Sequence, residues 1–221
     1  MLIDLHTHTY PLSWDSRLSP DELVERSKAA GLDRYMNAIT SVAFDYDHDG
    51  DVDLFVGAYF APVNLFNPET PRFFPESFET ANNGGGVIAF QNNGHGGFVD
   101  VTDAIGLHTS GWTLDLGHAD ANNDGWDDLY VACDFGTDRF FTNTGKGAFA
   151  DTTERAIGID TKKGMNAEWG DFDNDGWLDI FATASGTPLD EVVKGIDGKP
   201  HSWHTNSGCK SRHRVYWFMH E

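Results

Sequence analysis

One pattern recurs three times in this chain, and it limits the fold more than any other feature. It reads Asp45-Tyr46-Asp47-His48-Asp49-Gly50-Asp51-Val52-Asp53-Leu54-Phe55-Val56 at its first occurrence. It returns as Asp120-Ala121-Asn122-Asn123-Asp124-Gly125-Trp126-Asp127-Asp128-Leu129-Tyr130-Val131, and again as Asp171-Phe172-Asp173-Asn174-Asp175-Gly176-Trp177-Leu178-Asp179-Ile180-Phe181-Ala182. Each copy is a polar turn that runs into a short, β-prone apolar stretch. A single unit of this kind cannot bury its own apolar face, so the units must stack on one another.

A second element follows the first two copies. Phe90-Gln91-Asn92-Asn93-Gly94-His95-Gly96-Gly97-Phe98 matches Phe141-Thr142-Asn143-Thr144-Gly145-Lys146-Gly147-Ala148-Phe149 at an offset of 51 residues. An Asn/Gly turn between aromatic runs signals a β-hairpin. Each full repeat therefore supplies two hairpins, the four strands of one propeller blade. The first two polar turns lie 75 residues apart and the last two 51 apart, which places a long loop in Phe60–Gly86. The expected fold is mainly β, an incomplete β-propeller of about two and a half four-stranded blades over residues 36–187. A short strand and helix precede it in residues 1–35, and an unassigned tail covers 188–221.

The turns carry the chemistry. Asp45, Asp47, Asp49 and Asp53 stand at positions 1, 3, 5 and 9 of the first. Asp120, Asn122, Asp124 and Asp128 hold these positions in the second, and Asp171, Asp173, Asp175 and Asp179 in the third. Gly50, Gly125 and Gly176 at position 6 permit a sharp turn, and the carbonyl at position 7 adds an oxygen. Hard oxygen donors at this spacing suit Ca²⁺. So many carboxylates held close together repel one another unless a cation sits among them. An EF-hand opens alike but needs an acidic residue at position 12, where this chain has Val56, Val131 and Ala182. Solvated hairpin tips are the plain alternative, and triplication of the same oxygen-bearing positions argues against it.

Charge points the same way. The chain of 221 residues has a formal net charge of -20. Residues 35–187 hold 25 acidic and 6 basic groups, whereas 1–34 hold 6 and 4, and 188–221 hold 4 and 5. Nucleic acid and anionic membranes would repel such a surface, and a cation is its natural partner. No apolar run reaches the ~18 residues that cross a membrane, and Met1-Leu2-Ile3-Asp4 does not open a signal peptide. Two cysteines, Cys133 and Cys209, make no disulfide framework.

The repeated turns and their surroundings resemble FG-GAP or VCBS repeats, the blades of integrin-alpha-type propellers. The carrying residues are Phe44–Gly57, the Asn92–Thr102 hairpin, Gly111-Trp112-Thr113, Asp128–Gly136 with Asp138-Arg139, and Lys163 through Asp179. The closer likeness is to the cartilage acidic protein and ASPIC/UnbV-associated group. The resemblance implies Ca²⁺-bound blades in secreted or surface proteins, a protein or glycan ligand, and no catalysis by the repeats. A closed propeller needs at least four blades, so both ends of this stack are expected to keep bare faces, at Leu54-Phe55-Val56 and at Ile180-Phe181-Ala182. The third sheet is expected to end in an open edge.

The N-terminus reads differently. Leu2–Leu5 is a short strand. Ser19-Pro20-Asp21-Glu22 starts a helix with a cap, a first-turn proline and a capping-box partner. Leu23, Val24, Ser27 and Ala30 give that helix one apolar side, and Gly31 stops it. His6 and His8 share one face of the strand, so both rings can reach one metal, with Asp15 as a third donor. Met1–Thr9 with Leu18–Val24 and Ala30–Asp33 resembles the start of a PHP (polymerase and histidinol phosphatase) domain. That likeness implies a metal-dependent phosphoesterase with appended repeats as the alternative function. The PHP pattern continues with Thr-Asp-His where this chain has Thr40-Ser41-Val42, so the expected ligand is missing. His201, His204, His213 and His220 with Cys209 fit no zinc spacing. Trp112, Trp126, Trp169 and Trp177 read as packing residues. The leading expectation is a non-enzymatic calcium-binding repeat module.

Overall fold

The computed structural model describes residues 19–63, 67–70, 73–158, 163–171, 174, 176–185 and 215–219. The strand expected at Leu2–Leu5, and most of the tail, lie outside these residues. Helix α1 (Pro20–Ala29) starts as its sequence dictates. Ser19 Oγ accepts the Glu22 amide at 3.3 Å, and Glu22 Oε2 accepts the Ser19 amide at 2.9 Å. The Ser19 amide bond and the Ser19 hydroxyl hold the Glu22 carboxyl below its ordinary range. The expected apolar side of α1 is not pressed into a core, because no residue of the helix is buried. Burial begins just beyond it, at Ala30.

Three sheets follow in chain order. The first contains β1 (Ala38–Phe44), β2 (Asp53–Phe60), β3 (Gly84–Asn92) and β4 (Phe98–Asp100), each hydrogen-bonded to the next. The second repeats this order with β5 (Trp112–Ala119), β6 (Asp128–Phe135), β7 (Arg139–Asn143) and β8 (Phe149–Asp151). All pairings within these two sheets are antiparallel. A four-residue helix α2 (Thr153–Ala156), not expected from the sequence, leads to the third sheet. That sheet pairs β9 (Lys163–Gly170) with β10 (Asp179–Ser185). The result is the expected mainly β, incomplete propeller-like stack.

Strand alternation explains how the sheets stack. On a strand, successive side chains point to opposite faces. Leu129, Val131 and Cys133 of β6 enter a core shared with Phe44, Phe55, Val87 and Ala89 of the first sheet. Tyr130 and Ala132 point the other way, into a core shared with Ala167, Ile180 and Ala182 of the third. The middle sheet is thus buried on both faces, and β6 is a continuous buried run from Asp128 to Cys133.

The outer stack departs from expectation in two places. Val56, Ala58, Ile88 and Phe90, on the far face of the first sheet, are buried rather than bare. Leu32 and Met36, in the segment after α1, pack against them. Gly31 makes this approach feasible: its φ is +73°, and a Cβ there would stand 2.4 Å from the Phe98 carbonyl oxygen. At the other end, Ile180 and Ala182 face the second sheet and are fully buried, whereas Phe181, on the opposite face, is half-buried. The edge of β10 is not open either. Strand β11 (Val215–Met219) pairs with it in parallel, from Ile180↔Val215 to Ala184↔Met219. A tail strand therefore takes the place of a second hairpin, with the opposite direction to that of β3 and β7. A parallel partner needs a long connection, and the tail supplies one.

The long connection between β2 and β3 is anchored. Asn83 Oδ1 accepts Trp112 Nε1 at 3.0 Å, and its Nδ2 donates to the Phe74 carbonyl at 2.8 Å. Phe73 stacks on Trp112, so Trp112 packs as expected. Among the described residues, no helix is long and apolar enough to cross a membrane.

Candidate metal centres at the repeated turns

Each Asp-rich turn joins the first two strands of a sheet, at the same end of the stack. Position 4 has a left-handed backbone in all three, at His48 (φ 58°), Asn123 (56°) and Asn174 (59°). The glycine at position 6 has φ 95°, 89° and 86° in turn. Asn tolerates this conformation through local hydrogen bonds, and glycine has no Cβ to oppose it. The first two turns therefore share one backbone path, and the third matches it at Asn174 and Gly176.

That path aims the carboxylates inward. Asp45 Oδ1 accepts the Asp49 amide at 3.2 Å and its Oδ2 the Gly50 amide at 3.0 Å. Asp120 repeats this with the amides of Asp124 at 3.0 Å and Gly125 at 2.8 Å. Asp171 Oδ2 accepts the Gly176 amide at 3.0 Å. At position 3, Asp47 and Asn122 each accept the amide at position 5. Asp45, Asp47 and Asp49 bring one oxygen apiece within 4.8 Å of one another, as a shared cation requires.

Position 9 differs from the rest by being buried. Asp53, Asp128 and Asp179 each retain 1% exposure, because they open the second strand of their sheets beneath the turn. Asp53 Oδ1 accepts the Asn92 amide at 2.8 Å and its Oδ2 the Tyr46 amide at 3.3 Å. Asp128 Oδ1 accepts the Asn143 amide at 2.8 Å, but Oδ2 has no hydrogen-bond partner. The Ala121 amide is close enough to favour the carboxylate without a bond of normal geometry to Oδ2.

These surroundings move the acids. Burial pushes Asp128 up to about 7, with the charges of Asp124 and Asp120 adding to it against the Asn143 amide. Burial pushes Asp53 up to about 6, aided by Asp47 and Asp49 and opposed by the amides of Asn92 and Tyr46. Asp47 is raised by burial and then by Asp49, although Gln91 Nε2 donates to it at 2.7 Å. The Tyr46 hydroxyl is pushed up to about 12 by burial and by the same carboxylates. Such a set is costly with all members ionised and no counter-charge.

An oxygen-only donor set with a buried, unpartnered carboxylate oxygen fits a hard divalent cation. Asp45, Asp47, Asp49 and Asp53 would hold it in the first turn, and Asp120, Asn122, Asp124 and Asp128 in the second. In the third, Asp171 and Asp179 occupy the matching places, and Asp173 and Asp175 lie outside the described residues. So do His6, His8, Asp15, Cys209 and the four tail histidines.

Sequence reasoning missed the residues around the turns. Asn92 and Asn143 were visible only as hairpin residues, yet their amides hold Asp53 and Asp128. Their recurrence at one offset was the available signal. Trp126 packs as expected: His48 stacks on it at 3.8 Å, and a Cβ on Gly145 would lie 3.0 Å from its Nε1.

Comparison with known proteins agrees with this geometry. The family model of the FG-GAP-like repeat matches residues 120–182, from the second turn through the third. No curated protein sequence matches the chain. The matched stretch is thus similar to FG-GAP-like repeats, a class of repeat module used for interaction and generally without catalysis.

Proposed function

We propose that this chain is a calcium-binding interaction module with no catalytic function of its own. The observation that carries it is Asp128. Its buried Oδ2 lacks a partner at the base of a turn whose other oxygen-bearing residues match those of the clustered first turn. Ca²⁺ supplies the positive charge that lets these carboxylates stay ionised together, and the amides of Asn92 and Asn143 orient the buried pair.

Calcium would hold the turns rigid at one end of the stack and present that end to a protein or glycan ligand. The likeness to the cartilage acidic protein and ASPIC/UnbV-associated group supports the same assignment and an extracellular or cell-surface setting. Extracellular modules bind Ca²⁺ at ~10⁻⁴–10⁻³ M, which suits sites with several exposed members.

The competing phosphoesterase reading depends on His6, His8 and Asp15. It is tested with p-nitrophenyl phosphate and bis-p-nitrophenyl phosphate in the presence of Mn²⁺, Zn²⁺ or Mg²⁺. No turnover is expected. Turnover that vanishes in His6→Ala and His8→Ala would replace the module reading with the enzymatic one. Thermal unfolding with Ca²⁺ and with EDTA tests the calcium assignment itself: Ca²⁺ raises the unfolding temperature and EDTA reverses the rise.

A further inference from the structure

The first two turns are joined by a single buried side chain. Asn143, at the end of β7, is 2% exposed. Its amide nitrogen donates to Asp128 Oδ1, the buried acid of the second turn, at 2.8 Å. Its side-chain Nδ2 donates to the Asp127 carbonyl at 3.3 Å and to the Tyr46 carbonyl at 2.9 Å. Tyr46 lies in the first turn, between Asp45 and Asp47. The same residue thus orients an acid of one turn and fixes the backbone of the other.

The repeat itself isolates what is new here. Asn92 holds the equivalent place in the first sheet, 51 residues earlier. Its amide donates to Asp53 Oδ1 at 2.8 Å and its Nδ2 to the Val52 carbonyl at 3.0 Å. Asn92 Oδ1 accepts the Gly94 amide, as Asn143 Oδ1 accepts that of Gly145. Every local bond of Asn143 has its counterpart at Asn92. Only the reach to Tyr46 crosses between sheets. A second contact runs alongside it: His48 of the first turn stacks on Trp126 of the second, at 3.8 Å and 12°.

We infer that Asn143 is a positioning residue that couples the first two turns, so that Ca²⁺ at one tightens the other. This rests on the calcium reading above. Filling the second turn fixes Asp128, and with it Asn143, whose Nδ2 then holds the Tyr46 carbonyl in the orientation that Asp45 and Asp47 need. A ligand that pays part of another's ordering cost makes the second binding tighter, and such coupling is reciprocal.

The test uses the full chain carrying Asp171→Ala, so that only the first two turns take up Ca²⁺, followed by calorimetry and by Trp fluorescence. The expected Hill coefficient is above one. The expected midpoint is about five-fold or more below those of the chains that also carry Asp45→Ala or Asp120→Ala. Adding Asn143→Ala leaves two sites but brings the Hill coefficient to one and the midpoint to the single-site values. Adding Asn92→Ala, which removes the same local bonds without the crossing one, keeps the coupling. If Asn143→Ala does not fold, Asn143→Ser replaces it, since a serine hydroxyl can still accept the Gly145 amide but cannot reach Tyr46. Coupling that persists without Nδ2, or equal midpoints in the one-site and two-site chains, would overturn the inference and leave calcium binding intact. No Ca²⁺ uptake by the two-site chain would overturn both.

Discussion

Thr40 on β1 donates its hydroxyl hydrogen to Asp115 Oδ1 on β5 at 2.9 Å, and the two residues hold the same place in successive repeats. Asn166 on β9 holds that place in the third, and its Nδ2 donates to Asp115 Oδ2 at 2.9 Å. The Ala167 amide donates to the same oxygen at 2.9 Å. One carboxylate therefore ties together the first strands of all three sheets. Hydrogen bonds to a charged group contribute about 1.5–3 kcal/mol each, and a donor left unpaired costs ~1–3 kcal/mol.

Asp115→Ala is expected to lower stability by about 2–3 kcal/mol. Asp115→Asn is expected to lose less, because its amide oxygen can still accept from Asn166 and Ala167 while its NH₂ donates to the Thr40 hydroxyl. Urea unfolding of both variants is the check. An Ala variant as stable as the parent would mean that Asp115 is not what joins the sheets.

Gly31→Ala tests the cover of the first sheet. The new methyl group would meet the Phe98 carbonyl oxygen in a backbone conformation that alanine resists. Leu32 and Met36 would be displaced and Val56, Ile88 and Phe90 uncovered. The variant is expected to bind more of an apolar dye and to associate more than the parent. Light scattering after size exclusion measures this, and a monomeric, dye-free variant would count against the cover.

The buried acids make stability depend on pH with a definite sign. Burial raises Asp53 to about 6 and Asp128 to about 7 in the folded chain, from an ordinary 3.8. The folded chain therefore binds more protons than the unfolded one between about pH 4 and pH 7. Their contribution is fully present below about pH 4 and is lost as pH rises through these folded values. Calcium needs the ionised forms, so its stabilising effect grows across the same window. Unfolding temperatures in EDTA should fall relative to those of a chain carrying Asp53→Asn and Asp128→Asn as pH rises. In Ca²⁺ the order should reverse. Parallel profiles for the two chains in EDTA would contradict the assignment.

Asp128→Asn separates the cost of the acid from its use. Without Ca²⁺ at pH 8 the variant is expected to be at least as stable as the parent, since a buried charge is replaced by an amide. With Ca²⁺ it should forgo one site. At ~1 mM Ca²⁺ and a Kd of ~0.1 mM, that is roughly 1.4 kcal/mol of stabilisation. Calorimetric unfolding with and without Ca²⁺ reads both effects.

The turns were legible because chemistry dictates their spacing: oxygen donors must recur at fixed places, and glycine must stand where the chain bends. Helix α1 was legible because Ser19, Pro20 and Glu22 act locally. The Thr40–Asp115–Asn166 tie was not, because three different residue types share one repeat position, and only stacking brings them together. The inequality among the four acids of a turn was also hidden. Asp45 and Asp53 look alike in sequence, and only the start of β2 buries one of them. Strand β11 was missed because Val215–Met219 has no period, and its pairing with β10 is set by distant residues. The cover of the first sheet escaped notice for a similar reason: Leu32 and Met36 are two apolar residues in a polar connection, with no pattern that names their target.

Calcium titration by calorimetry, on the parent and on the chain carrying Asp45→Ala, Asp120→Ala and Asp171→Ala together, tests the central claim most directly. About three Ca²⁺ ions per chain are expected for the parent, from the three repeated turns of the sequence, and none for the triple variant. A parent that takes up no Ca²⁺ at millimolar concentration, or a triple variant that binds as the parent does, would show that these turns are not calcium sites.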